Sequence, residues 1–260
     1  MFESFLVVFR ESLEAALIVG IVCAFLKRNN LQKMYPLVLT SIAAAVGASL
    51  FGAYLFSLLE NGFTGLAEQV FEGITMILAA LFLSYMIIWL YQQKNPKTSI
   101  EEKLLKNSSR AGLFFLVFFA ILREGIETVL FLNAISFNTA GGTLWGAFAG
   151  LFIALAIGYL LFVVEVKLPV KRFFQVSSVL LILFAAGLLA HCIHEFQEAG
   201  IIPLAIEHLY DINSILDENT QFGQILKGVF GYNGNPSLIE TLSYLVYATS
   251  AFWLFFRKEN

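Results

Sequence analysis

Charge is scarce in this chain: 13% of its 260 residues are Asp, Glu, Lys or Arg, while 58% are hydrophobic. Soluble domains carry roughly 25% charged residues, so a water-soluble globule is excluded. No nucleic-acid partner is expected, and the net charge of −3 adds nothing further. Cysteine is limited to Cys23 and Cys192. They fall in different apolar segments near opposite membrane faces, which argues against a disulfide, and no paired-cysteine metal spacing exists. Both read as small buried hydrophobes. Nor do the apolar stretches alternate with polar residues, as the strands of a membrane barrel would.

What is present is uninterrupted apolar sequence, with a mean hydropathy of +0.78. A bilayer core takes about 20 apolar residues per helix. Seven segments of that size are expected at about 4–26, 37–58, 70–91, 112–135, 143–166, 173–196 and 238–256. In lipid each backbone polar group must be satisfied within its own helix or in a closed barrel. The expected fold is therefore an all-α integral membrane protein of seven transmembrane helices, one domain over residues 1–260. The first span is not expected to be a signal peptide, because Glu3 stands where a basic region would be and Arg10, Glu11 and Glu14 interrupt the apolar run.

Basic residues set the orientation. Of sixteen Lys and Arg, thirteen follow spans 1, 3, 5 and 7, from Lys27 and Arg28 to Arg257 and Lys258. Only Lys227 falls in the opposite loops, and Arg10 and Arg123 lie within spans. The positive-inside rule then places the N-terminus outside and the C-terminus inside. The outer segments are acidic, a face that attracts cations.

FRESLEAAL at 9–17 recurs as LREGIETVL at 122–130, so Arg10, Glu11 and Glu14 match Arg123, Glu124 and Glu127. The two copies lie in spans of opposite direction. Residues of about 4–91 and 112–196 thus form an inverted-topology repeat, joined by an outer loop at 199–237 to the final span; in transporters so built, the substrate site lies at the repeat interface near the midplane. Small residues every fourth position, Thr40, Ala44, Ala48 and Gly52 in one half and Gly142, Gly146, Gly150, Ala154 and Gly158 in the other, would let helices approach closely.

These motifs are expensive. Three charges in the first span cost roughly 8–10 kcal/mol, against a return of about 4–8 kcal/mol from its Leu, Ile, Phe and Val residues. Arginine and both glutamates share one helical face at i, i+1 and i+4. A helix-locking salt bridge would need one glutamate, not two, in both halves. Intramembrane ionisable groups mark functional sites. Two facing motifs supply four carboxylates and two arginines, a net −2 that a multivalent cation would neutralise. Glu11, Glu14, Glu124 and Glu127 are therefore the expected translocation ligands, with Arg10 and Arg123 supporting them.

A second cluster, HCIHEFQEAG at 191–200, puts His191, His194, Glu195 and Glu198 at i, i+3, i+4 and i+7, and Glu68 and Glu72 share a face near the same side. Imidazole with carboxylate suits iron, zinc, copper or nickel, so these residues are candidates for an outward metal vestibule. The plainer reading of Glu68 and Glu198 is a solvated helix end. LAIEHLYDINSIL at 204–216 is expected to be an amphipathic helix at the interface, with Leu204, Leu209, Ile212 and Leu216 on its apolar side.

RESLE at 10–14, REGIE at 123–127, the seven spans and GLLAHCIHEFQEAG at 187–200 together resemble the oxidase-dependent, high-affinity iron permeases, in particular their short bacterial EfeU-type members. The resemblance covers essentially the whole chain. It implies import of ferrous or ferric iron across the cytoplasmic membrane, with Glu11, Glu14, Glu124 and Glu127 as ligands, iron as cargo and no permanently bound cofactor. It also implies separate periplasmic or extracellular iron-binding or ferroxidase proteins as partners. A transporter of another divalent cation, Mn²⁺, Zn²⁺ or Pb²⁺, is the main alternative, since carboxylates accept many cations. A membrane-embedded di-iron enzyme is weaker: it needs Glu-x-x-His on two helices, and the chain's three histidines all lie outside both motifs.

Overall fold

The computed structural model describes residues 1–92, 104, 109–138, 143–164, 170–204, 206, 208–218 and 220–257. Gly142 lies outside them. The described residues are helical wherever they are regular: α1 (Phe2–Arg28), a 3-10 turn (Gln32–Met34), α2 (Tyr35–Glu60), α3 (Leu66–Gln92), α4 (Arg110–Asn138), α5 (Thr143–Phe162), α6 (Val170–Glu198), α7 (Gln221–Phe230) and α8 (Leu238–Arg257). Five of these, α2, α3, α5, α6 and α8, contain stretches long and apolar enough to cross a membrane. The other two long helices, α1 and α4, carry the repeated charged motifs.

Helix ends follow local chemistry. α1 opens with Glu3 and closes with Lys27 and Arg28, charges that complement the helix dipole. Pro36 stands in the first turn of α2, where its missing N–H costs no intrahelical bond.

The principal pairings are α1 with α5, α2 with α4, α3 with α6, and α8 on α6, with α1 also meeting α4. Glycine lets α5 lie against the α1 backbone. A Cβ on Gly150 would stand 2.6 Å from the Phe5 carbonyl and 2.8 Å from the Phe9 nitrogen, and one on Gly158 would stand 3.0 Å from the Ala16 Cβ. Further along, Gly20 faces the Phe162 ring. Contacts thus advance together along both helices, so α1 and α5 run parallel. Gly125 of α4 receives Ser49 of α2 in the same way.

The buried stripe of α5 is Gly146, Gly150, Ala154 and Gly158, as its spacing predicts. On α2 the expected stripe is displaced by one position: Thr40, Ala44 and Gly52 are exposed, and Val38, Ser41, Ala45 and Ser49 are buried. Both faces of α2 carry small residues, and contact with α4 selects the second. Helix 204–216 is also corrected. Its described residues form turns held by backbone bonds from Leu209 to Pro236 and from Ile212 to Gly234, and the short helix of the outer segment is α7. Thr220 caps α7 by accepting the Gly223 N–H at 3.0 Å, and Gly231, at φ 64°, ends it.

The main apolar core joins Val7 of α1, Met76, Leu83 and Met86 of α3, Phe131 and Ile135 of α4, Leu181, Ile182 and Leu188 of α6, and Phe255 of α8. The two charged motifs lie on the crossing α1 and α4, beside this core.

Candidate metal centre

Arg10 is completely buried. Its Nη1 stands 3.2 Å from Glu11 Oε1, and its Nη2 stands 3.0 Å from Glu14 Oε1. Nη1 also donates to Met86 Sδ at 3.0 Å, which fixes the guanidinium against α3. On α4, Arg123 Nε donates to Glu127 Oε1 at 2.7 Å. Arg123 is less enclosed, with 34% of its side chain exposed. Each motif is therefore braced within its own helix, as the i, i+4 spacing allows.

The two motifs meet. Glu11, Glu14 and Glu124 each offer a carboxylate oxygen, and these three oxygens lie within 4.8 Å of one another. Glu127 is within electrostatic reach of all three. All four glutamates are buried. One oxygen each of Glu11, Glu124 and Glu127 (Oε2 in each case) has no hydrogen-bond partner among the described residues. Burying an unpartnered carboxylate oxygen is costly, and a cation would remove that cost. The donor set is all oxygen, which suits hard cations.

The outer cluster is looser. His191 Nδ1 is 3.1 Å from the Gly187 carbonyl of its own helix. His194, on the exposed side, has Nε2 at 3.2 Å from Glu198 Oε1 and Nδ1 at 3.2 Å from Glu240 Oε1. Gln69 Nε2 donates to Glu198 Oε2 at 3.1 Å, tying α3 to α6. Glu68, Glu195 and Glu198 lie within electrostatic reach of Glu72, and so does Glu60. Among the described residues, however, these side chains do not draw together into a second metal-holding group of three.

A family model for the iron permease FTR1 family matches residues 1–257. The chain belongs to that family. Two relatives named ferrous iron permease EfeU are similar over nearly their full length: that of Yersinia pestis is 34% identical over 98% of this chain and 93% of its own, and that of Escherichia coli strain 536 is 33% identical over 96% and 94%. No solved structure matches the chain. With its membrane-capable helices, this iron permease is a multi-pass membrane protein, and its family is one of transporters rather than enzymes.

Two residues of the permease's polar clusters are absent from the motif reading. Met86 is a thioether in an apolar run and carries no signal in the sequence. Glu240 does carry one, since it is a carboxylate in the third position of an otherwise apolar helix, where an ionisable group deserves a partner.

Proposed function

We propose that this permease imports iron across the cytoplasmic membrane through a single site shared by Glu11, Glu14, Glu124 and Glu127. The carrying observation is the approach of Glu11, Glu14 and Glu124 oxygens from two helices to within 4.8 Å. Arg10 and Arg123 hold the carboxylates and leave the four-glutamate set at net −2, so a multivalent cation is favoured over a monovalent one.

In this reading α1 and α4 also span the bilayer, making seven spans in one permease domain, because Arg10 and the four motif glutamates are buried inside the bundle rather than turned to lipid. The exchanged pairing supports an inverted repeat. If α1–α3 correspond to α4–α6, then α1 on α5 and α4 on α2 are the same contact made twice, and each buries small residues every fourth position: Gly146, Gly150 and Ala154 in one, Ser41, Ala45 and Ser49 in the other. The basic loops place the N-terminus outside. Glu68, Glu72, His191, His194, Glu195 and Glu198 form an outward vestibule that collects the ion, delivered by a separate iron-binding or ferroxidase protein. The names of the two relatives favour ferrous iron as cargo.

The test is radioiron uptake into proteoliposomes, with and without reductant, in competition with Mn²⁺, Zn²⁺ and Pb²⁺. Uptake of Fe²⁺ that resists excess competitor is expected. Equal or stronger transport of a competitor would replace iron as the cargo.

A further inference from the structure

Arg10 is held from two directions. Its own helix supplies two carboxylates: Nη1 stands 3.2 Å from Glu11 Oε1, and Nη2 stands 3.0 Å from Glu14 Oε1. The third partner comes from α3, where Met86 Sδ accepts from Nη1 at 3.0 Å. Arg10 and Met86 are both completely buried. Among the described residues this is the one hydrogen bond that Arg10 makes to another helix, and its Nε makes none.

The two kinds of partner behave differently when a cation arrives. A guanidinium keeps its charge and its five N–H donors throughout, so Arg10 is repelled by the ion while Glu11 and Glu14 are drawn to it. As the ion takes up the carboxylates, the bonds that hold the arginine to α1 weaken. A buried donor that loses its acceptor costs the full desolvation of that group, and Nε is already without one. Met86 Sδ escapes this competition because it carries no charge for the ion to draw away. It also adds no charge to the site, and it sits in the main apolar core beside Leu83 and Ile87 of its own helix and Phe131 of α4. A further carboxylate in its place would be a rival ligand, and an aliphatic side chain would offer no acceptor. The thioether is both apolar and a weak, polarisable acceptor.

We propose that Met86 is a positioning residue for transport: its sulfur holds Arg10 against α3 while Glu11 and Glu14 exchange the arginine for the ion, and both carboxylates regain the guanidinium when the ion leaves. The role rests on the reading of Glu11, Glu14, Glu124 and Glu127 as the translocation ligands. It anchors the first motif outside its own helix.

The test sets two substitutions against each other in full-length protein. Met86→Leu keeps the apolar bulk and removes the acceptor; Met86→Gln keeps the length and supplies a carbonyl oxygen. Fe²⁺ uptake into proteoliposomes is measured per folded protein, beside Tm in detergent and NMR of labelled arginine side chains, with the Arg10 signals identified by their loss in Arg10→Lys. In the wild type the Nη signals of Arg10 are distinct, because the guanidinium does not rotate. In Met86→Leu they should merge at unchanged Tm, and maximal flux should fall by about tenfold while apparent KM stays within about twofold, since no ligand has been removed. Met86→Gln should keep them distinct and hold maximal flux within about threefold of wild type. Packing alone gives the opposite order, because leucine for methionine is among the mildest core exchanges and a buried amide is costly. A fully active Met86→Leu beside a failing Met86→Gln would therefore overturn the proposal. If Met86→Gln does not fold, Met86→Leu decides alone: lost flux with merged signals supports the role, and normal flux or unmerged signals overturns it. Glu14→Gln separates the role from the reading beneath it. Normal uptake in Glu14→Gln would overturn the shared site and with it the transport role of Met86, whereas a transport-dead Glu14→Gln beside a normal Met86→Leu would overturn Met86 alone.

Discussion

Gly187 of α6 and Gly231 after α7 meet backbone to backbone: a Cβ built on Gly187 would stand 2.5 Å from the Gly231 Cα. Gly187 lies eleven residues before Glu198, the last residue of α6, a distance of about 16 Å along a helix at 1.5 Å per residue. The end of α7 therefore lies well inward of the end of α6. α7 descends along α6, and residues 231–237 climb back, bringing Ser237 Oγ within 3.0 Å of Gln197 Oε1. Tyr244 of α8 donates to the Phe230 carbonyl at 2.5 Å, satisfying one of the carbonyls that a helix end leaves open. A dipping segment of this kind is tolerated where protein surrounds it.

That contact makes Gly231 sensitive twice over. Its φ of 64° costs a residue with a side chain about 1–2 kcal/mol, and the approach of Gly187 leaves no room for a Cβ. Gly65 supplies the control, with φ 62° and nothing within 4 Å of a built Cβ. Gly231→Ala should lower Tm in detergent clearly more than Gly65→Ala does. Equal losses would mean that backbone conformation alone governs Gly231.

Replacing Glu14 or Glu127 by Gln should stop transport and spare the fold. Each carboxylate is expensive to bury, and Gln keeps its shape while removing the charge. The cation loses more: a unit charge 4 Å away is worth roughly 4 kcal/mol at an effective dielectric of 20, and such a loss is a hundredfold or more in affinity. Thermal stability and iron uptake should be measured on the same preparations. A lower Tm with uptake in proportion to the folded fraction would make these residues structural.

The charged motifs were legible because their cost is large and their spacing leaves one helical face; Arg10, Glu11 and Glu14 are indeed buried together. The packing face of α2 was not, because small residues fill two stripes one position apart and only the partner helix decides between them. For the outer segment, apolar spacing at 204–216 outweighed the stronger end signals of TQFGQILKGVFG at 220–231, a threonine cap and a closing glycine. Glu240 was readable by the same rule that found the two motifs. Its bond to His194 depends on how α8 seats against α6, and no local pattern encodes that.

Close packing of α1 on α5 gives a paired prediction. Gly150→Leu places a branched side chain where the Phe5 and Phe9 backbone already stands, and overpacking of this kind costs typically 1–3 kcal/mol or more. Gly52→Leu on α2 adds the same atoms with nothing within 4 Å and should change stability by no more than about 0.5 kcal/mol. Thermal unfolding of both variants in detergent is the check. A Gly52→Leu protein as unstable as Gly150→Leu would place an unseen partner on the outer face of α2.

The two arginines, each at the head of an R-E-x-x-E motif, should respond differently to lysine. Arg10 uses two nitrogens at once: Nη1 reaches Glu11 Oε1 and Met86 Sδ, and Nη2 reaches Glu14 Oε1. Lysine keeps the charge but places it at one point, so it can hold Glu11 or Glu14, not both in register. It does so in a position with no solvent to compensate. Arg123 meets Glu127 through Nε and is less tightly enclosed, with a third of its side chain exposed, so an ammonium there can keep its pairing with Glu127. Arg10→Lys should therefore lower maximal iron uptake per folded protein by about tenfold or more, the effect of misplacing reacting groups by about an ångström. Arg123→Lys should stay within about threefold, in keeping with the small worth of a part-exposed pair. Initial uptake rates normalised to folded protein decide the matter. Equal losses in the two variants would mean that the motifs are symmetric in use despite their unequal burial. Full activity in Arg10→Lys would show that charge alone, and not the guanidinium fork, organises Glu11 and Glu14.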